Sequence, residues 1–262
     1  MASVLSIAGS DSSGGAGIQA DIKTIAAHKL FAQTAITALT AQNTLGVTGV
    51  FDASPDFVEE QIDVVFADMR PDAVKIGMIS SGNIARSIAR ALVRNAACNI
   101  VLDPVMVATS GSALMATEAV DVMVECLFPL VSVITPNIPE AEVLSGMQIA
   151  VADDMERAAQ AIHAKMREEA YVLVKGGHSV NDANDVLWGP AGAIWLRGQR
   201  VETTSTHGTG CTLSSAIACN LALGYSVEEA VRNAKEYLTG ALSHDLHMGK
   251  GNGPLDHMWA YR

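Results

Sequence analysis

Short apolar runs alternate along the chain with longer segments in which apolar residues recur every three or four positions. The short runs are rich in Val, Ile and Leu, a composition typical of buried strands. They cover residues 4–8, 73–76, 99–102, 130–134 and 171–174, with further extended segments at 35–39 and 47–51. Residues 185–188 and 193–196 flank Gly189-Pro190, a turn sequence that predicts a hairpin.

The longer segments predict helices over 18–28, 83–95, 152–169, 211–223 and 227–244. Ser54 followed by Pro55 is a typical helix start. The apolar residues behind it are spaced as on one helix face: Val58, Ile62, Val65 and Phe66. Buried strands alternating with helices indicate an α/β fold, a mostly parallel central sheet with helices on both faces. Ligands of such sheets bind beyond the carboxyl ends of the strands.

Composition limits the possible classes of protein. The chain has 262 residues, 49% of them hydrophobic and 17% charged, and no low-complexity tract or linker divides it. We therefore expect a single domain over residues 1–262. The formal net charge of −11 argues against nucleic-acid and anionic-membrane binding, which depend on basic patches. A nucleotide remains compatible, since it needs only a local positive pocket.

The cysteines and the N-terminus indicate a reduced, cytoplasmic setting. The chain begins without a recognisable signal peptide, and no uncharged apolar run is long enough to span a bilayer. Its four cysteines form no Cys-x-x-Cys pair, which argues against a zinc site or a disulfide framework. We expect Cys98, Cys126 and Cys219 to lie in the core. His244 and His247 supply too few ligands for a metal site.

The most informative motif is Thr206-His207-Gly208-Thr209-Gly210-Cys211, which opens a predicted helix. Glycines at a helix start leave backbone N–H groups open to an anion. The helix dipole would also favour the thiolate form of Cys211, although a cysteine there can be a plain buried residue. An anion cradle beside an activatable side chain favours phosphoryl transfer.

The loop after the first strand, residues 9–17, is rich in glycine and serine. Its segment 15–20 matches the pattern G-x-G-x-x-A of dinucleotide-binding sites. However, the glycines lie several residues past the strand, and no carboxylate occurs between Asp21 and Asp52 to bind a ribose. No Walker A lysine follows either. A substrate-facing loop is therefore favoured, with a dinucleotide site or a plain flexible loop as alternatives.

Two polar residues near this loop suit a heteroaromatic ring. Asp21 lies near the start of the first helix, where a carboxylate either complements the dipole or accepts hydrogen bonds from ring amino groups. Gln42 follows an apolar strand. Its amide either binds the same ring or belongs to an exposed turn.

Three charged residues follow other strands and suit a phosphate or its metal. Asp103 and Glu140 could hold Mg²⁺ through water, or they could cap the helices that follow. Lys175 leaves a buried strand towards Gly176-Gly177. It could reach a phosphate as a point charge, or lie solvated at the strand end.

Together these segments resemble the hydroxymethylpyrimidine and phosphomethylpyrimidine kinases of thiamine biosynthesis, in the ribokinase-like superfamily. The resemblance covers nearly the whole chain. It is carried by 7–21 (IAGSDSSGGAGIQAD), 37–44 (TALTAQNT), 75–78 (KIGM), 101–106 (VLDPVM), 134–141 (ITPNIPEA), 174–178 (VKGGH), 206–212 (THGTGCT) and 249–254 (GKGNGP). It implies a ribokinase-like three-layer fold, two ATP-dependent phosphorylations of one pyrimidine, and a homodimer.

The resemblance also assigns roles to individual residues. The pyrimidine pocket would be lined by Ala16, Asp21, Gln42, Met78 and Val105. ATP would be held by Lys175, Asn137, Gly208, Thr209 and Gly210. Mg²⁺ would lie near Asp103 and Glu140. Cys211 would be the catalytic base, assisted by the turn amides of Gly208 and Gly210.

Three other functions stay open on the sequence. Pyridoxal kinase is the nearest, because pyridoxal also carries a hydroxymethyl group on a flat ring. An NAD-dependent oxidoreductase would use the glycine loop. A ligand-binding regulator that has lost turnover is the third.

Overall fold

The central element is a nine-stranded sheet with the order β3-β2-β1-β4-β5-β6-β7-β8-β9. The structure is a computed structural model, and it describes residues 1–107, 117–176, 184–198 and 200–262. The strands are β1 (Ser3–Asp11), β2 (Phe31–Asn43), β3 (Gly46–Asp52), β4 (Ala73–Ile76), β5 (Ile100–Leu102), β6 (Val133–Ile134), β7 (Tyr171–Val174), β8 (Asp185–Gly189) and β9 (Gly192–Leu196). Six neighbouring strands of the sheet are parallel: β2, β1, β4, β5, β6 and β7. At the edges, β3 pairs antiparallel with β2, β8 with β7, and β9 with β8.

Helices cover both faces of this sheet. They are α1 (Gly17–Ala27), α2 (Pro55–Asp68), α3 (Gly82–Arg94), α4 (Thr117–Leu127), α5 (Ile138–Ser145), α6 (Ala152–His163), α7 (Thr209–Ala222) and α8 (Val227–Ser243). One core lies between the sheet and α2 to α6, the other between the sheet and α1, α7 and α8. The predicted α/β class and three-layer arrangement are confirmed.

The buried strands serve both cores in alternation. In β4, Val74 and Ile76 pack into the first core and Ala73 into the second. In β5, Ile100 and Leu102 face the first core and Val101 the second. Because side chains of a strand point alternately to the two faces, a strand buried on both sides needs a continuous apolar run. This explains why the runs were visible in the sequence.

Most predicted elements are confirmed, with shifts at their ends. Ser54 caps α2 by accepting a hydrogen bond from the Phe57 amide at 3.3 Å, as its position before Pro55 predicts. The hairpin around Gly189-Pro190 is formed by β8 and β9.

Three predictions need correction, and the bounds of two helices were not predicted. The helix predicted over 152–169 ends at His163, whose ring bonds the carbonyls of Glu168 and Ala170 and holds a turn. The strand predicted over 130–134 begins only at Val133, because the amides of Leu130 and Val131 bond back to the carbonyls of Leu127 and Phe128 at the end of α4. Helices α4 and α5 had no predicted bounds. Cys98 is exposed and Cys126 half-buried, so that only Cys219 is a core cysteine.

Candidate active site

A cleft of about 800 Å³ lies beyond the carboxyl ends of the central strands, within the range of ligand-binding pockets. Every predicted site residue except Asp21 lines it: Ala16, Gln42, Met78, Val105, Asp103, Asn137, Glu140, Lys175, Gly208, Thr209, Gly210 and Cys211. The parallel strands therefore bring together residues that are far apart in the chain, as the topology requires. Gly177, predicted to follow Lys175 in its loop, lies outside the described residues.

The start of α7 forms a turn, Gly208 to Gly210, whose geometry suits an anion; we call it the anion-binding turn. Gly208 is the N-cap, with a φ of +87° that favours glycine. A Cβ there would lie 2.0 Å from the carbonyl oxygen of Gly15, so the two loops are in direct contact. The amides of Gly210 and Cys211 donate to no acceptor within the described ranges, whereas that of Thr209 bonds to Thr206. These free amides at a helix N-terminus suit a phosphate.

A charged pair faces this turn from the sheet. The Lys175 Nζ lies 3.2 Å from Asp103 Oδ1. A Cβ on Gly210 would come within 3.0 Å of Asp103 Oδ2 and 3.5 Å of Lys175 Nζ, so glycine keeps the pair and the turn adjacent. Burial opposes the charge of Lys175, but Asp103 and Glu140 outweigh it and hold its pKa above the ordinary value. Lys175 is thus a cation beside the anion-binding turn.

Glu140 both caps α5 and lines the cleft. Its carboxylate accepts from the Asn137 amide, and its own amide donates to Asn137 Oδ1, each at 2.9 Å. This capping box is the structural alternative that the sequence left open. Burial, with Asp103 nearby, raises the pKa of Glu140 to about 7, against the opposing effect of Lys175.

The acidic residues here suit Mg²⁺ held through water. Asp103 is 2% exposed, and its Oδ2 accepts no hydrogen bond within the described part of the chain. Mg²⁺ usually takes one or two carboxylates plus phosphate oxygens and keeps several waters. The Asp103 and Glu140 pair fits that pattern, and no cluster of three or more His, Cys, Asp or Glu occurs in the described ranges.

Cys211 lies where the N-termini of two helices meet. It is the third residue of α7, and the backbone of Gly17, the first residue of α1, acts to lower the pKa of its thiol. Even so, burial raises the pKa of the thiol from 9.0 to about 11, and Lys75 only partly offsets this. The sequence left open whether Cys211 is ionised at rest; here desolvation of the charged form outweighs the effect predicted for the helix dipole.

Asp21 does not reach the cleft, which corrects its predicted role as a ring ligand. Its side chain is fully buried, and both carboxylate oxygens accept from the Lys75 ammonium, at 2.8 and 2.9 Å. The hydroxyls of Ser6 and Ser215 complete the network at 2.6 and 2.7 Å. The carboxylate is a counter-ion in the core between the sheet, α1 and α7.

The end of the cleft that is predicted to bind the pyrimidine combines apolar walls with one amide. Ala16, Met78 and Val105 supply apolar surface. Gln42 also lines the cleft; its side-chain oxygen lies 3.0 Å from the Thr40 hydroxyl, and its amide nitrogen bonds to no protein acceptor within the described ranges. Gln42 is held in place because its backbone exchanges hydrogen bonds with the Ser12 hydroxyl.

Sequence reasoning missed two residues that organise the glycine loop, Asp11 and His207. The Asp11 carboxylate accepts from the amides of Gly15 and Ala16, at 3.1 and 2.8 Å, and from the His207 ring at 2.8 Å. A carboxylate thus takes the amides that a dinucleotide pyrophosphate would need, which counts against the oxidoreductase alternative. The signal was a carboxylate directly before a glycine-rich loop.

No helix within the described ranges has the length and apolar character needed to cross a membrane.

Comparison with known proteins agrees with this geometry. The phosphomethylpyrimidine kinase family model matches residues 11–256. A hydroxymethylpyrimidine/phosphomethylpyrimidine kinase of Rhizobium meliloti is 50% identical over 257 residues, 97% of this chain and 96% of the relative. The crystal structure of a Clostridium difficile phosphomethylpyrimidine kinase matches with a TM-score of 0.81 at 44% identity, covering 91% of this chain and 98% of that one.

A third relative shares the fold more closely than the sequence. The ADP complex of Bacillus subtilis pyridoxal kinase has a TM-score of 0.91 at 37% identity, and covers 100% of this chain and 99% of its own. These neighbours confirm the ribokinase-like fold. The family match over most of the chain and the near full-length similarity to its members agree: the chain belongs to the phosphomethylpyrimidine kinase family.

Proposed function

We propose that the protein transfers the γ-phosphoryl group of ATP first to 4-amino-5-hydroxymethyl-2-methylpyrimidine and then to the resulting monophosphate, for thiamine biosynthesis. The observation that carries this proposal is the convergence of an anion-binding turn, Lys175 and Cys211 on one cleft with the apolar walls near Gln42. Relatives of this chain are named for both phosphorylations.

In the first step the hydroxymethyl oxygen attacks the γ-phosphorus. The bond from that phosphorus to the β–γ bridging oxygen breaks, ADP leaves, and the alcohol proton passes to the Cys211 thiolate. Phosphoryl transfer depends mainly on alignment and charge neutralisation. Here the amides of Gly208 and Gly210 and the Lys175 cation would neutralise charge, while Gln42, Ala16, Met78 and Val105 would fix the ring.

The remaining ATP contacts and the metal complete this proposal. Asn137 caps α5 and pairs with Lys175 in an isolated β-bridge, and Thr209 is the first residue of α7, within the anion-binding turn; both would contact the nucleotide. Mg²⁺ near Asp103 and Glu140 would neutralise phosphate charge during transfer.

The two steps should depend differently on Cys211. The first acceptor is an alcohol that must lose a proton. The second is a phosphate monoester, which is already mostly dianionic at about pH 7 because its second pKa is near ~6. Cys211→Ala should therefore slow the first step by about 10²- to 10⁴-fold and the second far less. Equal losses in the two single-turnover rates would refute this role.

Pyridoxal kinase activity is a second candidate, favoured by the TM-score of 0.91 with Bacillus subtilis pyridoxal kinase. The deciding experiment supplies Mg-ATP with the pyrimidine or with pyridoxal and identifies products by mass spectrometry. A mono- and then diphosphorylated pyrimidine is the expected result. Pyridoxal phosphate alone would move the assignment to that vitamin, and no product from either would contradict both.

We further propose a homodimer of single-domain chains, 1–262, in the cytoplasm. Leu39 of β2 and Phe51 of β3 are cross-strand partners, 51% and 73% exposed, and exposed apolar pairs of this kind often mark an interface. Sedimentation velocity on wild type and Phe51→Asp tests this. A dimer that the substitution separates is expected, and a wild-type monomer would contradict it.

A further inference from the structure

The Asp11 carboxylate accepts hydrogen bonds from several residues of the glycine loop. Asp11 ends β1, is 2% exposed, and accepts hydrogen bonds from the amides of Ser13, Gly15 and Ala16 and from the Ser13 hydroxyl, at 2.8 to 3.1 Å. Burial opposes its charge, but His207 and these donors lower its pKa to about 2. The glycine loop is therefore folded around a fixed negative charge.

His207 connects that charge to the anion-binding turn. Its Nε2 lies 2.8 Å from Asp11 Oδ2, and its ring is 5% exposed. A Cβ on Gly15 would lie 2.4 Å from the His207 ring, and one on Gly208 would lie 2.0 Å from the Gly15 carbonyl oxygen. Residue 207 directly precedes the N-cap of α7, so the ring that bonds Asp11 belongs to the residue next to the anion-binding turn.

We propose that Asp11 and His207 are positioning residues that clamp the glycine loop, residues 9–17, to the anion-binding turn. A substitution in the loop then alters ATP binding at the turn, and a substitution beside the turn alters pyrimidine binding at the loop. This rests on the proposed function. The loop containing Ala16 and the turn containing Gly208 are held in one arrangement by the same carboxylate. Loss of the clamp lets both loops populate other arrangements, and apparent affinity falls with the fraction that stays competent.

The clamp predicts effects that cross between sites. Asp11→Asn, a substitution within the glycine loop, should weaken ATP binding measured without pyrimidine. His207→Leu, made beside the turn, should weaken pyrimidine binding measured without ATP. Each dissociation constant should rise about fivefold or more, the low end of typical couplings between sites.

The design separates the clamp from general damage. His207→Gln keeps an N–H donor near the position of Nε2 and should restore both affinities. Lys23→Met removes a 2.7 Å bond to Gly14 in the same loop without touching the turn, and should leave ATP affinity unchanged. If His207→Leu does not fold, His207→Asn replaces it, since its amide is too short to reach Asp11.

Isothermal titration calorimetry with ATP and with the pyrimidine measures these constants, and single-turnover rates add a kinetic readout. His207→Leu should slow both phosphorylations alike, because the turn serves both, unlike Cys211→Ala. Unchanged cross-site affinities in folded Asp11→Asn and His207→Leu would overturn the clamp. If wild type phosphorylates no pyrimidine, the proposed function fails, and ATP affinity alone decides the clamp: equal values for His207→Leu and His207→Gln overturn it.

Discussion

The buried pair of Lys75 and Asp21 should make the protein unusually sensitive to loss of either charge. Both side chains are fully buried, and Lys75 is among the largest side chains with no exposure. Removing one partner of such a pair costs about 3–5 kcal/mol, because an uncompensated charge remains in the core. Lys75→Met leaves Asp21 with two serine donors, so about 3 kcal/mol is expected.

Asp21→Leu should cost more, about 5 kcal/mol, because both hydrogen-bond acceptors of the Lys75 ammonium belong to Asp21. The double variant leaves no unpaired charge in the core. Its loss should fall below the sum of the single losses by about 3 kcal/mol, a coupling at the upper end for contacting residues.

Urea unfolding followed by circular dichroism measures these free energies of unfolding. The pair of Arg157 and Asp154 is the control, because its arginine is 64% exposed and so the pair is in contact with water. Arg157→Met should cost under about 1 kcal/mol. If the losses in free energy of unfolding were additive, or if Lys75→Met lost no more than Arg157→Met, a buried unpaired charge would not be the cause.

Three more predictions concern the cleft. The pKa of about 11 for Cys211 means that the first-step rate should rise about tenfold per pH unit between about pH 7 and 10, and a flat profile would contradict a thiolate base. Gly208→Ala should abolish ATP binding, because the new Cβ would lie 2.0 Å from the Gly15 carbonyl oxygen. Gly224→Ala is the control: its φ of +86° is similar, nothing lies within 4 Å of the new Cβ, and it should keep activity while costing about 1–2 kcal/mol of stability. Equal effects of the two substitutions on ATP binding by calorimetry and on activity would contradict this. Lowering of the Asp11 pKa from 3.8 to about 2 contributes about 2 kcal/mol of stability that is present above pH 3.8 and lost as pH falls through 2. Asp11→Asn should therefore destabilise the protein at pH 7 but hardly at pH 2, and a constant difference in acid unfolding would refute it.

Sequence patterns predicted the fold because most signals were local. The strand around Val101 and the cap at Ser54 depend on neighbouring residues, and both are confirmed. The start of β6 depended on how residues 130–132 bond to other elements, which periodicity does not encode.

The candidate site divides in the same way. Residues at strand ends, such as Lys175, could be placed in the cleft from the parallel topology. Asp21 could not, because its burial is decided by Lys75, a residue 54 positions away. A lysine inside the apolar run 73–76 was the available signal for a buried partner. Asp11 had a signal in its position before the glycine-rich loop, but nothing in the sequence indicated His207, 196 positions away, as its partner.

The alternation of β4 between two cores limits the genetic changes that this gene segment can accept. Deleting one codon within Ala73–Ile76 would exchange the two faces and turn Lys75 from Asp21 towards the apolar layer formed with α2 and α3. Apolar substitutions at Val74 or Ile76 preserve the register, so the segment tolerates apolar substitutions but not insertions or deletions. The turn between β8 and β9, where Gly192 has open space around it, has no such restriction and is the place where insertions should accumulate.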